Sequence, residues 1–161
     1  MAEKEFLYDV AVEWKGEKTG EARAQGLPPI TFGAPVEFKG RGGEWTPEHL
    51  FVASVNTCFM LTFLASAAFS KLPLVSYASA ARGKLEKVEK GGFQITTITI
   101  TPTVVIGNAQ DLAKARRLLE KAKENCFVTN SIRTTVHVEP EIYHHVVQVY
   151  PRALGERGSS S

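Results

Sequence analysis

The chain has 161 residues, 43% of them hydrophobic and 22% charged, a composition typical of a single folded globular domain. These figures exclude a disordered chain, a collagen and a small disulfide-stapled scaffold. The net charge of +2 comes from basic residues scattered along the sequence, so no nucleic-acid partner is expected. The two cysteines, Cys58 and Cys126, leave three interpretations open: coincidence, a structural bridge or a redox pair.

The first part of the chain predicts a β-hairpin followed by a loop. Apolar residues alternate loosely over residues 6–14, which is typical of a strand. Residues 15–20 predict a turn, and residues 21–25 predict a short returning strand. Proline and glycine are frequent over residues 26–44, so this segment is predicted to be mostly loop, with a short strand at 30–32.

A long helix is predicted to begin at Thr46. Thr46 suits the capping position, Pro47 suits the first helical position, and Glu48 complements the positive end of the helix dipole. The helix is expected to reach about Ser70, because Pro73 prevents its continuation.

Within this helix, residues 50–69 form an uncharged run long enough to cross a membrane. Asn56 and several hydroxyl residues argue against a membrane span, because such groups are costly in hydrocarbon. A helix that is apolar on all sides is otherwise buried by a sheet or by a partner chain. We therefore expect no membrane partner, and we expect a homodimer to cover this helix.

The rest of the chain predicts two long strands, a second helix and a final strand. The strands cover residues 76–89 and 93–105, and Asn108 is expected to cap a helix over residues 109–125. The final strand is predicted at residues 133–139. The order of elements indicates an α+β fold in which antiparallel sheets pack on a long central helix.

The domain organisation is predicted to be simple. Residues 1–143 are expected to form one domain, and residues 144–161 a partly disordered C-terminal extension with an extra strand at 146–150. The N-terminus has acidic residues and lacks the apolar segment of a signal peptide. The expected location is therefore the cytoplasm, where thiols are kept reduced.

Two stretches resemble the OsmC/Ohr family, which comprises osmotically inducible proteins and organic hydroperoxide resistance proteins. Residues 46–53 (Thr-Pro-Glu-His-Leu-Phe-Val-Ala) and 56–59 (Asn-Thr-Cys-Phe) are similar to the helix motif of that family, which has Pro-Glu, Leu, small residues and Ala-Cys-Phe. Residues 125–132 (Asn-Cys-Phe-Val-Thr-Asn-Ser-Ile) are similar to its Cys-Pro-Val-Ser stretch. The resemblance covers roughly residues 6–140.

This resemblance implies an intertwined homodimer with thiol peroxidase activity and a role in the stress response. Cys58 would attack the O–O bond of a small hydroperoxide, and Cys126 would resolve the sulfenic acid as a disulfide. A dithiol, either lipoyl or a small thiol, would reduce that disulfide. Glu48 matches the active-site glutamate of the family. No cofactor or metal is implied.

The residues alone also favour Cys58 over Cys126 as the attacking thiol. Cys126 lies near the predicted C-terminus of the second helix, whose negative dipole disfavours a thiolate. Cys58 lies in mid-helix and gains nothing from a dipole, so a nearby cation is expected to lower its pKa.

Peroxidases of this family have an essential arginine before the helix motif. That arginine has no clear counterpart in this sequence. One branch places it before a phenylalanine, but Glu37 precedes Phe38 in this chain. The other branch places it in the first hairpin turn, where Lys18 is nearest. Arg41, in a glycine-rich loop, is the third candidate and the one that we assign to the site.

The spacing of Glu48 and Cys58 adds a constraint on the site. They are ten positions apart on one helix, about 15 Å along its axis, so they are not expected to meet within one chain. Two alternatives to a peroxidase remain open. One is a protein of the same fold that binds a small apolar or thiol-reactive ligand. The other is a dimeric interaction module with structural cysteines.

Overall fold

A computed structural model of the chain describes residues 3–145. Its first sheet is antiparallel, with its strands in the order β1 (Ala11–Gly16), β2 (Thr19–Arg23) and β3 (Ile30–Gly33). The first strand was predicted from Phe6 but begins at Ala11, and residues 3–10 have no regular structure. The reason is that β2 ends at Arg23, directly opposite Ala11. Residues before Ala11 therefore have no backbone of β2 to pair with.

The long helix α1 (Pro47–Phe69) follows the prediction closely. The hydroxyl of Thr46 accepts a hydrogen bond from the backbone N–H of His49 at 3.2 Å, which caps the helix. At the other end, Lys71 adopts a left-handed conformation (φ 52°) and Pro73 follows two residues later. The helix therefore has a clear start signal at its N-terminus and a clear stop signal at its C-terminus.

Only one stripe of α1 is fully buried within the chain. It consists of residues spaced by four, namely Val55, Phe59, Phe63 and Ala67. By length and hydropathy α1 alone would suit a membrane span, but this stripe forms part of the core of a mixed fold, as predicted. Other apolar side chains of α1 are exposed, among them Leu61 at 61% and Phe69 at 91%.

The second sheet is mixed rather than purely antiparallel. Its strands are β4 (Leu74–Val88), β5 (Gly92–Ile106), β6 (Thr135–Val138) and β7 (Glu141–His144). The first two form a long antiparallel hairpin, and β6 and β7 both pair with β5 in parallel. Strand β7 was not predicted. The extra strand expected at residues 146–150, and nearly all of the proposed C-terminal extension, lie outside the described residues.

The second helix begins later than predicted. Residues 109–111 form one turn of 3-10 helix, and α2 covers Leu112–Asn125. Asn108 has an extended backbone and its side chain makes no capping hydrogen bond, so the predicted cap is wrong. The turn is instead closed by the backbone, where the N–H of Asp111 donates to the carbonyl of Asn108. A four-residue helix α3 (Phe127–Asn130) follows Cys126 directly.

The core lies between α1, α2 and β5. The helix α2 contributes four buried residues at helical spacing, which are Ala115, Leu118, Leu119 and Ala122. Ile98, Ile100 and Val104 of β5 have no exposed surface. The first sheet contributes no fully buried apolar residue, and Val12 and Trp14 remain mostly exposed on it. Its apolar face is thus uncovered within the described part of the chain.

The helix α1 lies close to the sheet at Gly83 of β4. A Cβ atom there would lie 2.5 Å from Cγ2 of Val52, which is a rigid β-branched side chain. One turn further along α1, Asn56 and Ser79 join the two elements by a 2.7 Å side-chain hydrogen bond. The helix is therefore seated on the sheet at a fixed depth.

We expect Gly83→Ala to destabilise the fold by about 1–3 kcal/mol, because the added methyl overpacks the contact with Val52. Denaturant unfolding measures the change. In the double variant Gly83→Ala, Val52→Ala the space is restored, so its cost should be smaller than the sum of the two single changes. Additive costs would contradict this account of the contact.

Candidate active site

Cys58 lies in the middle of α1, next to the start of α3. Its side chain is partly buried and packs against the hydrophobic core, as does Val128 of α3. The hydroxyl of Thr62, one helical turn later, donates a 2.8 Å hydrogen bond to the backbone carbonyl of Cys58. The thiol is therefore carried by a regular helix and keeps partial access to solvent.

Cys126 occupies the break between α2 and α3 and has no exposed surface. Its backbone is extended (φ −71°, ψ 113°), and its carbonyl accepts a 2.9 Å hydrogen bond from the N–H of Asn130. Both cysteines are free thiols. The structure brings them close together, since each side chain shifts the pKa of the other.

The pKa of Cys58 lies below the ordinary value of a thiol. Burial is the largest single effect and acts to raise it, but hydrogen bonds together outweigh burial, the largest of them from the backbone N–H of Val128 and the side chain of Cys126. The side chain of Thr62 and the backbone N–H of Phe127 lower it further. Cys58 was expected to need a cation, whereas the groups that lower its pKa here are uncharged hydrogen-bond donors.

The pKa of Cys126 is shifted in the opposite direction. Burial raises it most, and the hydrogen bond and charge of Cys58 raise it further. The side chain and backbone N–H of Thr129 act against this shift without cancelling it. The two opposite shifts thus favour ionisation of Cys58 over ionisation of Cys126.

Glu48 is placed in the first turn of α1, at the edge of a cleft of about 710 Å³. One of its carboxylate oxygens, Oε2, is buried and has no hydrogen-bond partner among the described residues. Glu48 is not among the groups that shift the pKa of Cys58. Within one chain the structure therefore leaves these two residues apart, in line with their spacing along the helix.

The structure does not bring a cation to Cys58 within the described chain. The guanidinium of Arg41 is exposed and is hydrogen-bonded to the carboxylate of Glu44, which raises the pKa of Arg41. The ammonium of Lys18 donates a 2.8 Å hydrogen bond to the carbonyl of Phe38. Neither side chain contributes to the pKa of Cys58.

Two clefts flank the N-terminal half of α1. The lining of the larger one is half apolar and half polar. Its apolar residues include Phe51, Leu85 and Ile132, and its polar residues include Glu48 and Arg133. The smaller one, of about 410 Å³, is lined by Trp45 and His49 among others. Neither cysteine lines either cleft. Phe59 and Phe63 of α1 are fully buried and belong to the core.

The residues that sequence reasoning missed are those directly after Cys126. Phe127 and Val128 act through backbone N–H groups, which leave no side-chain pattern to detect, whereas Thr129 acts through both its side chain and its backbone N–H. The available signal was the start of a helix, because the first N–H groups of a helix have no acceptor within it. Among residues 3–145, no three His, Cys, Asp or Glu side chains are arranged to hold a metal ion.

Comparison with known proteins gives one consistent family. A family model described as OsmC-like protein matches residues 40–141. An OsmC-like protein of unknown function from Vibrio cholerae is 27% identical, with a TM-score of 0.79, and the match covers 85% of this chain and 100% of that one. An uncharacterized protein of Bacillus subtilis, YmaD, is 26% identical over 88% of this chain and 95% of its own length.

Some similar solved structures are named as organic hydroperoxide resistance proteins. An organic hydroperoxide resistance protein OsmC from Legionella pneumophila is 26% identical, with a TM-score of 0.69. The match covers 86% of this chain and 99% of that chain.

We expect Phe127→Pro to raise the pKa of Cys58, because proline has no backbone N–H to donate to the sulfur. The change suits the backbone: position 127 is the first residue of α3, and Cys126 before it is already extended. The measurement is the pH dependence of thiolate ultraviolet absorbance in a Cys126→Ser background. Phe127→Ala is the matched control, since it keeps the N–H. Equal titrations for the two variants would contradict the assignment.

Proposed function

Because the chain belongs to the OsmC-like protein family, we propose that it reduces organic hydroperoxides or hydrogen peroxide with a Cys58/Cys126 redox pair. The observation that carries the proposal is the contact between a thiol of lowered pKa and a completely buried second thiol. The name of the similar Legionella pneumophila protein, an organic hydroperoxide resistance protein, supports the same activity.

The first step uses the thiolate of Cys58 as the nucleophile. Its sulfur attacks the terminal oxygen of the hydroperoxide, the O–O bond breaks, and the leaving oxygen takes a proton to become an alcohol or water. Cys58 becomes a sulfenic acid. Its lowered pKa favours this role, because the thiolate and not the thiol is the reactive form.

In the second step the sulfur of Cys126, as a thiolate, attacks the sulfur of oxidised Cys58. The S–O bond breaks, the hydroxide takes up the proton lost by Cys126 to form water, and a disulfide results. A dithiol, either lipoyl or a small thiol, then reduces the disulfide and is itself oxidised. The burial of Cys126 suits a resolving thiol, since it limits direct contact with peroxide.

We propose that Glu48 and Arg41 contribute to the Cys58 site only when two copies of the chain associate. The buried oxygen of Glu48 lacks a donor in the single chain, and Arg41 sits in an exposed loop. The uncovered apolar residues of α1 and of the first sheet, such as Leu61 and Trp14, favour a homodimer that buries them. We propose the cytoplasm as the location, where reduced thiols are maintained.

A second candidate function has one observation in its favour. Apolar residues form half of the lining of the larger cleft, and neither cysteine lines it. A protein of this family that binds a small apolar ligand next to Glu48 would use this cleft and would not need the thiols. Peroxide consumption decides between the two candidates.

With a dithiol present, wild type is expected to consume cumene hydroperoxide or hydrogen peroxide, and Cys58→Ser is expected to fall to the rate of the dithiol alone. Cys126→Ser should lose turnover yet still gain oxygen on Cys58 after one equivalent of peroxide, detectable by mass spectrometry. Equal consumption by wild type and Cys58→Ser would remove the peroxidase proposal.

Sedimentation at micromolar concentration is expected to give a dimer for the wild type. Leu61→Asp places a charge on the uncovered face of α1 and should weaken association about tenfold or more, because burying a leucine contributes about 1.5–3 kcal/mol. Lys121→Asp, on the exposed side of α2, is the control and should remain a dimer. A wild-type monomer at this concentration would contradict the dimer.

A further inference from the structure

We propose that the hydroxyl of Thr129 is a catalytic hydrogen-bond donor held in place for the thiolate form of Cys126. The proposal rests on the resolving role given to Cys126 above, and it deepens that role by naming the group that stabilises the negative charge on the Cys126 sulfur. Thr129 lies in α3, three residues after Cys126.

The hydroxyl of Thr129 is buried and has no hydrogen-bond partner among the described residues. A buried hydroxyl without a partner costs free energy, so such groups are uncommon in folded proteins. A threonine hydroxyl in a helix can donate to a backbone carbonyl of the preceding turn. Thr129 has no such bond, and this leaves its donor available for another acceptor.

The acceptor that the local geometry offers is the sulfur of Cys126. This residue stands at the capping position of α3, with Thr129 at the third helical position, the spacing at which a capping side chain and the helix approach each other. Yet the Cys126 side chain makes no capping hydrogen bond. A neutral thiol is a weak acceptor, whereas a thiolate is a strong one.

The Thr129 hydroxyl and the Cys126 side chain, which both lack a hydrogen bond here, would therefore form a strong one when the Cys126 sulfur is negatively charged. The hydroxyl and backbone N–H of Thr129 are also the groups that act to lower the pKa of Cys126, against the larger effect of burial. The raised pKa of Cys126 favours its neutral thiol, and the Thr129 hydroxyl has no hydrogen-bond partner among the described residues. The strong hydrogen bond forms only when Cys126 loses its proton.

This arrangement acts in both directions of the disulfide step. When Cys126 attacks the sulfenic acid of Cys58, its S–H proton leaves and the S–S bond forms as the S–O bond breaks and water departs. When a dithiol later attacks the sulfur of Cys58, the S–S bond breaks and Cys126 leaves as a thiolate. Thr129 stabilises the same charge in each case.

The test is Thr129→Val, which keeps the shape of the side chain and removes the hydroxyl. Thr129→Ser, which restores the hydroxyl, is the matched control. Cys126 is the sole thiol in a Cys58→Ser background, so thiolate absorbance against pH reports on it directly. We expect Thr129→Val to move this titration to higher pH and Thr129→Ser to leave it near that of the parent.

A second measurement follows sulfenic acid in the protein with both cysteines after one equivalent of peroxide. Its lifetime should be about two- to tenfold longer in Thr129→Val, as expected for the loss of one hydrogen bond. The melting temperature of the reduced variant should be unchanged or higher, because an unsatisfied buried hydroxyl has been removed.

A lower melting temperature with an unchanged Cys126 titration would overturn the proposal and make Thr129 a structural residue. If the wild type forms no sulfenic acid with any peroxide, the peroxidase function fails. The titration in the Cys58→Ser background still decides the role of Thr129 in that case, since it needs no peroxide.

Discussion

The geometry of both thiols depends on how α1 packs between the β4–β5 hairpin and the pair of helices α2 and α3. The stripe from Val55 to Ala67 has essentially no exposed surface, and Gly83 lets the helix lie close to the sheet. Rotation of α1 would bury polar groups and expose this stripe. Cys58 is therefore held at one position, facing the break that contains Cys126.

Much of this arrangement was predictable because it rests on patterns of side chains. The cap at Thr46, the stop near Pro73 and the helical spacing of α2 are local signals, and the structure reproduces the helices that they predict. The pairing of Cys58 with Cys126 came only from resemblance to a family, since 68 positions separate them and no local motif connects them. The start of α2 was misjudged because asparagine before a helical pattern is typical of a cap, whereas the side chain of Asn108 makes no capping hydrogen bond and a 3-10 turn precedes α2.

The rest could not be predicted, because it depends on backbone groups and on long-range pairing. Strand β7 is four residues long and exists because β5 offers a free edge beside it, with Ile142 opposite Val104. The N–H groups that acidify Cys58 come from Phe127 and Val128, whatever their side chains are. The sequence pointed to charged residues instead, and the described chain holds Arg41 and Lys18 in other contacts.

The separation of the two cysteines along the chain has a thermodynamic consequence. A disulfide between them would close a loop of about 68 residues, running from the middle of α1 through the hairpin and α2. On the chain-entropy account such a closure disfavours the unfolded state by about 4 kcal/mol. The oxidised chain would then be the more stable form, and each reductive cycle would return the protein to a state that unfolds more readily.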